Sequence, residues 1–363
     1  MIGIVVGTRP ELIKIFPIVR FFKKKKVKYK IIHTGQHYSK NLNHIFLKDF
    51  GILRPSYNLK IGSKPHAEQT ALMMIGLEKI FQKETFKSIL VYGDTNSALA
   101  GALVASKFQN IKLVHLEAGL RSFEIKMPEE TNRKIIDHIS DILITTTNIA
   151  KNFLIGEGLP RNKIFISGNT IVDAIKIYNN KIRKNSKLIN DLKLKKNNYF
   201  LLTLHRQENV EDKNKFLRLF KTLEKISKKF NIKIVFPAHP RTQKIMNLLK
   251  ILSNTNIKVL QPLNYINFLT LIKNSKLVIT DSGGIQEESC TLKVPVITLR
   301  TSTERQETLY MGANILSKYD YSNIVKNINK IFKKKIKWTY PYGKGNASKN
   351  IFNILKLVKI IWN

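Results

Sequence analysis

Carboxylates occur in three short polar sequences, YGDTN, HLEAGLRS and MPEETNR. These sequences contain Asp94, Glu117, and the adjacent pair Glu129 and Glu130. Carboxylates that share one site can have their proton affinities pushed apart, as acid and base catalysis requires. The competing interpretations are a helix cap for Asp94 and a surface cap for Glu129 or Glu130. Glu117 is less easily explained as a cap, because it ends an apolar run and precedes a glycine turn.

A second kind of sequence suits phosphate binding. In ITDSGGIQEES, we expect Ser282, Gly283 and Gly284 to open a helix after a buried strand, so that backbone amides can approach a diphosphate. Glu288 follows about one helical turn later, where a carboxylate can accept hydrogen bonds from ribose hydroxyls. The alternative is a plain helix cap with exposed glutamates. Two adjacent glycines at the helix start favour phosphate.

Two further sequences place cations beside predicted strand ends. GTRPELIK contains Arg9, and a phosphate site or an ordinary strand-to-helix turn fits it equally well. LTLHRQEN contains His205 and Arg206, where paired cations suit a phosphate and a protonatable imidazole can assist a departing diphosphate. His239 in FPAHPRT has a similar position with less supporting context.

Other chemistries lack their motifs. The sequence has no GxGxxG and no Walker phosphate loop, and its single cysteine, Cys290, cannot build a zinc-thiolate cluster. We therefore expect no cofactor and no metal, with catalysis by side chains alone. One cysteine also excludes an intrachain disulfide, which favours a reducing, cytoplasmic location.

The elements that position these residues alternate between short apolar runs and amphipathic stretches, which is typical of parallel sheets covered by helices. The polar sequences follow the predicted strands, and the carboxyl ends of strands are where open α/β sheets bind ligands. The predicted strands lie near residues 2–6, 30–34, 88–92, 112–116, 141–145, 163–167, 199–204, 232–236, 257–260, 276–280 and 294–298.

At 363 residues the chain is long enough for two domains. A polar stretch near residues 179–198 predicts the junction. We expect an N-terminal Rossmann-like domain over 1–178 that carries the carboxylates, and a C-terminal domain over 179–345 that binds the nucleotide. We also expect a closing helix in 346–363 that packs back on the first domain.

The formal net charge of +38 raises the possibility of a basic protein that binds nucleic acid or a membrane surface. The lysines are spread along the chain without interleaved aromatic platforms, which favours a solvated surface and no nucleic-acid partner. The sequence has no uncharged apolar segment of about 18 consecutive residues, so we also expect no membrane span.

In order along the chain, GTRPELIK, YGDTNSALAGALVASK, HLEAGLRS, MPEETNR, GNTIVDA, LTLHRQEN, TDSGGIQEE and TSTERQE closely resemble the non-hydrolysing UDP-N-acetylglucosamine 2-epimerases. The resemblance implies a GT-B arrangement, in which two doubly wound α/β domains face each other across a cleft, usually in a homodimer. It implies that Asp94, Glu117 and Glu129 are catalytic, that His205 assists them, and that Phe268 approaches the uracil. The implied UDP contacts are Arg9, Lys14, His205, Ser282, Gly283, Gly284, Glu288 and Arg305.

The resemblance also implies conversion of UDP-N-acetylglucosamine to UDP-N-acetylmannosamine, for surface polysaccharide synthesis. The hydrogen on carbon 2 is not acidic, so inversion without a redox cofactor fits elimination of UDP to 2-acetamidoglucal and its re-addition. The alternatives are a hydrolysing relative that releases UDP and N-acetylmannosamine, a 2-epimerase of a modified UDP-sugar, and a glycosyltransferase of the same architecture.

Overall fold

A computed structural model of the chain describes residues 1–36, 55–204, 206, 209, 212–238, 240–249, 251, 256–333 and 337–361. The chain forms two compact units, of which the first is Met1–Lys176 with Pro341–Asn363 and the second is Ile177–Tyr340. Within the described ranges, no helix combines the length and the apolar character that crossing a membrane requires.

The first unit is built on a seven-stranded parallel sheet. Its strands are β1 (Ile2–Val6), β2 (Tyr29–His33), β3 (Tyr57–Asn58), β4 (Ser88–Tyr92), β5 (Lys112–Ala118), β6 (Ile142–Thr145) and β7 (Ile164–Ile166). Their order across the sheet is β3-β2-β1-β4-β5-β6-β7. All five residues of β1 and of β4 are buried, as expected for strands covered by helices on both faces.

Helices follow most of these strands along the chain. They are α1 (Arg9–Lys24), α2 (His66–Lys83), α3 (Asn96–Ala105), α4 (Pro128–Ile139), α5 (Asn148–Gly156) and α6 (Thr170–Lys184), with a 3-10 turn at Arg161–Lys163. Helix α6 contains the boundary between the two units, at Lys176. A later helix, Ala347–Leu357, also belongs to this unit, and its Phe352 ring lies 5.4 Å from the Phe21 ring of α1. The Asp173 carboxylate accepts hydrogen bonds from the amides of Ala347 and Ser348, which satisfies donors left unpaired at the start of that helix.

The second unit repeats this construction with a six-stranded parallel sheet. Its strands are β8 (Tyr199–Thr203), β9 (Lys233–Pro237), β10 (Ile257–Leu260), β11 (Leu277–Thr280), β12 (Val296–Thr298) and β13 (Asn314–Leu316), in the order β10-β9-β8-β11-β12-β13. The helices are α7 (Ser186–Asp191), α8 (Lys213–Phe230), α9 (Pro240–Leu248), α10 (Tyr265–Asn274), α11 (Gly283–Thr291), α12 (Gln306–Tyr310) and α13 (Tyr321–Lys333). The helix Ala347–Leu357 is therefore α14.

Each unit has its own hydrophobic core, formed where the helices cover the sheet. In the second unit, Phe200, Phe216 and Phe236 are almost completely buried. Both sheets have the doubly wound order of a Rossmann fold, so the prediction of two doubly wound α/β domains is confirmed. Every predicted strand is present, and β3 and β13 are additional strands of two and three residues.

Candidate functional site

Each sheet has a point where the strand order reverses, between β1 and β4 in the first unit and between β8 and β11 in the second. Ligands of doubly wound sheets bind beyond the carboxyl ends of the strands at this point. In the first unit Thr8 and Arg9 follow β1, and Asp94 follows β4. In the second unit Arg206 follows β8, and Asp281 follows β11.

Glu117 lies at the end of β5 in an unusual backbone conformation. Its φ is +69°, the pairing register of β5 with β6 shifts between Leu116 and Ala118, and Gly119 has a φ of +77°. A left-handed conformation in a residue with a side chain costs about 1–3 kcal/mol, and such strain is concentrated at functional sites. Glu117 is also buried, at 7% exposure. The backbone therefore marks Glu117 as a functional candidate independently of its sequence motif.

Lys14 of α1 is the partner of Glu117. The Lys14 ammonium donates a hydrogen bond to Glu117 Oε1, and it lies 5.6 Å from the centre of the Tyr92 ring. Both Lys14 and Glu117 are buried, so their charges are stabilised by each other instead of by water. The structure thus brings together one residue predicted to bind UDP and one predicted to be catalytic.

Asp94 forms an ion pair with Arg133 of α4. Arg133 Nε and Nη2 lie 2.8 and 2.7 Å from Asp94 Oδ2, and Asn132 Nδ2 donates to the Asp94 carbonyl over 2.9 Å. The helix-cap interpretation of Asp94 is wrong, because Thr95 is the cap of α3 and its Oγ1 accepts from the Ala98 amide. The Asp94 side chain retains 28% exposure, so it is held in place and still accessible.

Glu129 and Glu130 both lie in the first turn of α4, but in different surroundings. Glu130 is buried, accepts hydrogen bonds from the Ser122 amide and hydroxyl over 3.0 and 2.8 Å, and pairs with Arg133. Burial acts to raise the pKa of Glu130, but the Ser122 hydrogen bonds and the Arg133 charge outweigh it and lower the pKa. The surface-cap interpretation is therefore wrong for Glu130. Glu129 is half-buried, which does not contradict the surface-cap interpretation for this residue.

Glu11 is a buried acid at this edge that the motif reasoning missed. Its Oε2 accepts from the Gly7 amide over 2.8 Å and the Thr8 amide over 2.7 Å, and its Oε1 accepts from Thr95 Oγ1 over 2.6 Å. Burial raises the pKa of Glu11 despite these bonds. The pattern Thr8-x-x-Glu11, a capping box, is the sequence signal that could have identified it. The Gly7 and Thr8 amides of the GTRP turn therefore donate to Glu11, so they are not available to an anion in this structure.

The glycine pair of the second unit opens a helix as predicted. Helix α11 begins at Gly283, with Ser282 as its cap, and Ser282, Gly283 and Gly284 are all half-buried. A Cβ atom at Gly283 would overlap Glu304 Oε1, whereas one at Gly284 would meet no atom of the described residues within 4 Å. Gly283 therefore packs against the Glu304 side chain, and Gly284 does not have such a neighbour in the described part of the chain. Glu288 lies in α11 and is buried.

Arg206 is bonded to Asp281 at the same edge of the second sheet. The Arg206 amide and Asn209 Nδ2 donate to Asp281 Oδ2 over 3.1 and 2.9 Å, and Arg206 Nε donates to the Asp281 carbonyl over 3.1 Å. These bonds join the chain after β8 to the chain after β11. His205 and His239 lie outside the described residues.

Arg305 lies in a buried polar cluster beside α11. Its Nε is 2.5 Å from Glu287 Oε1 and its Nη1 is 3.9 Å from Glu304 Oε1, while Arg300 pairs with Glu304 at 3.0 Å. Phe268 is half-buried in α10. In the described part of the chain, no group of three or more His, Cys, Asp or Glu side chains is arranged to hold a metal ion.

The chain is similar to known proteins over almost its whole length. Residues 20–356 match the family model described as UDP-N-acetylglucosamine 2-epimerase. A UDP-N-acetylglucosamine 2-epimerase of Methanococcus maripaludis is 49% identical over 361 residues, which cover 98% of each chain. A UDP-2,3-diacetamido-2,3-dideoxy-D-glucuronate 2-epimerase of Pseudomonas aeruginosa is 35% identical over 97% of this chain and 98% of its own.

A solved structure extends the likeness to three dimensions. It is the UDP-GlcNAc 2-epimerase of Methanocaldococcus jannaschii in complex with UDP-GlcNAc and UDP. The two chains superimpose with a TM-score of 0.92 at 46% sequence identity, over 98% of this chain and 99% of that one.

Proposed function

The chain belongs to the UDP-N-acetylglucosamine 2-epimerase family, and we propose that it interconverts UDP-N-acetylglucosamine and UDP-N-acetylmannosamine without net hydrolysis. The observation that carries this proposal is the acid cluster of the first unit. Glu117, strained and paired with Lys14, lies at the end of β5, and Asp94, paired with Arg133, follows the neighbouring strand β4. A 2-epimerase that lacks a redox cofactor needs such groups to move a proton at carbon 2.

The proposed reaction is an elimination followed by an addition. One carboxylate takes the proton from carbon 2, the electron pair forms the C1–C2 double bond, and UDP leaves carbon 1 with the electrons of the C1–O bond. An acid then returns a proton to the opposite face of carbon 2, and a UDP oxygen bonds again to carbon 1. We assign the proton transfers to Asp94, Glu117 and Glu129, without dividing the roles among them.

The leaving UDP must be held between the two steps. We assign this task to the start of α11 with Ser282, Gly283 and Gly284, because helix amides and the helix dipole favour a diphosphate. We assign the uracil to Phe268 and a ribose hydroxyl to Glu288. The cations proposed to stabilise the departing charge are Arg9, Lys14, His205 and Arg305. Since Lys14 is bonded to Glu117 in this structure, contact with UDP would require it to share or leave that carboxylate.

The decisive experiment resolves the products. Purified protein is incubated with UDP-N-acetylglucosamine, and the sugars are separated by anion-exchange chromatography and identified by NMR. We expect UDP-N-acetylmannosamine, and in D₂O we expect deuterium at carbon 2 of both nucleotide sugars. Free N-acetylmannosamine with stoichiometric UDP would establish the hydrolysing reaction instead. Turnover without deuterium at carbon 2 would contradict proton transfer there.

A modified UDP-sugar is the second candidate substrate, favoured by the Pseudomonas aeruginosa relative. The test compares kcat/KM for UDP-N-acetylglucosamine with that for a UDP-2,3-diacetamido sugar acid. If kcat/KM is more than about tenfold higher for the modified sugar, that sugar is the substrate, and the proposed chemistry at carbon 2 is unchanged.

We also propose a cytoplasmic homodimer that supplies surface polysaccharide synthesis. The single cysteine, Cys290, is free and buried, which suits a reducing compartment. Light scattering coupled to size-exclusion chromatography should give twice the chain mass of 41.9 kDa. A monomer mass at micromolar concentration would contradict the dimer.

A further inference from the structure

His115 and Asp137 form a fully buried pair behind the turns that carry Asp94 and Glu117. Their exposures are 1% and 0%, and His115 Nδ1 lies 2.7 Å from Asp137 Oδ1. His115 Nε2 donates to the Gly93 carbonyl over 2.9 Å, and Gly93 immediately precedes Asp94. One side of the pair therefore holds the backbone of the Asp94 turn.

The other side of the pair holds the Glu117 turn. The Asp137 carboxylate accepts from the Gly119 amide, with distances of 3.3 Å to Oδ1 and 3.2 Å to Oδ2, and it pairs with Arg121 Nη1 at 2.7 Å. Gly119 lies two residues after Glu117. Burial acts to raise the pKa of Asp137, but His115 and Arg121 outweigh it and lower the pKa, so Asp137 acts as a charged acceptor.

Both turns have conformations that need support. Gly93 and Glu117 each have a φ of +69°, and the Gly93 amide donates to the Leu116 carbonyl over 3.0 Å. A Cβ atom at Gly93 would lie 3.3 Å from Glu117 Oε2, so the Glu117 carboxylate lies directly against the Asp94 turn. A small shift of either turn therefore changes the separation of the two carboxylates.

We propose that His115 and Asp137 are positioning residues for the reaction, which clamp the Asp94 and Glu117 turns to each other through the Gly93 carbonyl and the Gly119 amide. This inference rests on the proposed function, because it gives the two carboxylates their catalytic role. Neither His115 nor Asp137 contacts the reacting atoms in this account. Since a misplacement of about 1 Å can cost about 100-fold in rate, loss of the clamp should reduce kcat.

The test compares two isosteric substitutions, one in α4 and one at the residue directly before β6. Asp137→Asn removes the charge that faces His115 and the Gly119 amide. Asp141→Asn is the matched control, because Asp141 Oδ2 accepts from the Leu113 amide over 2.9 Å at the opposite end of β5. For Asp137→Asn we expect kcat to fall about 30- to 100-fold, with KM and the UDP dissociation constant changed by less than about threefold. For Asp141→Asn we expect an unchanged kcat.

Hydrogen exchange gives a readout that is independent of turnover. We expect faster exchange in peptides containing Gly93 and Gly119 for Asp137→Asn, and wild-type exchange there for Asp141→Asn. If Asp137→Asn does not fold, the same measurements are made on His115→Gln. The glutamine amide can keep one of the two hydrogen bonds of His115, to Asp137 or to the Gly93 carbonyl. A folded variant with wild-type kcat or wild-type exchange at both turns overturns the clamp.

Glu117→Gln, measured in parallel, separates the two levels of the argument. If Glu117→Gln turns over normally, the proposed catalytic role of Glu117 is wrong. If Glu117→Gln is inactive while folded Asp137→Asn is fully active, the proposed function stands and the clamp alone is wrong.

Discussion

The two sheets share a strand order. They differ in the residues at the carboxyl ends of their strands. At the first edge, Glu11, Asp94 and Glu117 are each bonded to a side chain from another element. At the second edge, the turn after β11 leads through Ser282 into two glycines that open α11. The first edge is thus rich in carboxylates, and the second offers backbone amides at a helix start.

This difference suits one architecture to the two chemical tasks of the proposed reaction. The doubly wound order places the residues after β1 and β4, and after β8 and β11, at equivalent positions. What those residues are then decides the chemistry, because carboxylates exchange protons and helix amides bind anions. An elimination of UDP needs both tasks, a proton acceptor at carbon 2 and a site for the diphosphate. We therefore expect substitutions at the two edges to affect different kinetic constants.

The largest effect is expected at Glu117. Glu117→Gln removes one of the carboxylates proposed to transfer a proton, with little change in shape, so kcat should fall by about 1,000-fold or more while UDP affinity does not fall. Steady-state kinetics and calorimetric titration with UDP measure the two quantities. Glu84→Gln is a control in the same unit, since Glu84 bonds Lys30 and Tyr57 away from this edge. An equal loss of UDP affinity in Glu117→Gln would contradict the division between the edges.

Acid should destabilise the first edge through His33, which ends β2. Burial lowers the pKa of His33 from 6.5 to about 4, and its Nδ1 accepts from the Gly35 amide over 3.0 Å. Between these pH values the unfolded chain binds a proton that the folded chain does not, so stability is present above pH 6.5 and is lost as the pH falls towards 4. The loss amounts to about 3 kcal/mol.

Urea unfolding at a series of pH values measures this effect. His33→Asn should be less stable at neutral pH but should show a shallower decline between pH 6.5 and 4 than wild type. If the two proteins decline in parallel, His33 is not the source of the acid sensitivity.

At the second edge, Gly283→Ala should reduce stability. The new Cβ would overlap Glu304 Oε1, and overpacking of this kind costs about 1–3 kcal/mol. Thermal unfolding of the substrate-free protein should therefore show a lower Tm. An unchanged Tm would mean that Glu304 can move away from α11 without cost.

Gly284→Ala should have the smallest effect and the most specific one. Among the residues that the structure describes, no atom lies within 4 Å of the new Cβ, so Tm should not fall. A methyl group at an open helix start would obstruct a diphosphate, and we expect UDP to bind about tenfold more weakly, or about 1.4 kcal/mol. Calorimetric titration with UDP measures the change. Wild-type affinity would place the diphosphate elsewhere.

The sequence was sufficient to predict most of the local structure. The sequence predicted β1, β4 and β10 with their observed bounds. For β1 and β4 the reason is that a strand buried on both faces has a continuous apolar signature. The glycine pair predicted the start of α11. The pattern did not indicate β3 or β13, because strands of two and three residues are too short to have a recognisable pattern.

The partners of the polar side chains could not be predicted in the same way. Thr95, and not Asp94, caps α3, because the aspartate is drawn into an ion pair with Arg133. Glu130 looks like a surface residue in the sequence, yet hydrogen bonds from Ser122 and the charge of Arg133 make its burial possible. The partner of Asp94 comes from α4, and Glu130 accepts hydrogen bonds from Ser122 in the loop after β5 as well as pairing with Arg133 of its own helix.

The sequence by itself determined the elements, the carboxylates at the ends of β4 and β5 and the glycine pair that opens α11, because these depend on residues close together in the chain. Only the tertiary structure decided that Lys14 pairs with Glu117, 103 residues away, and that His115 reaches the Gly93 carbonyl. Such pairs form because β1, β4 and β5 lie side by side in the sheet, an order that no local pattern contains.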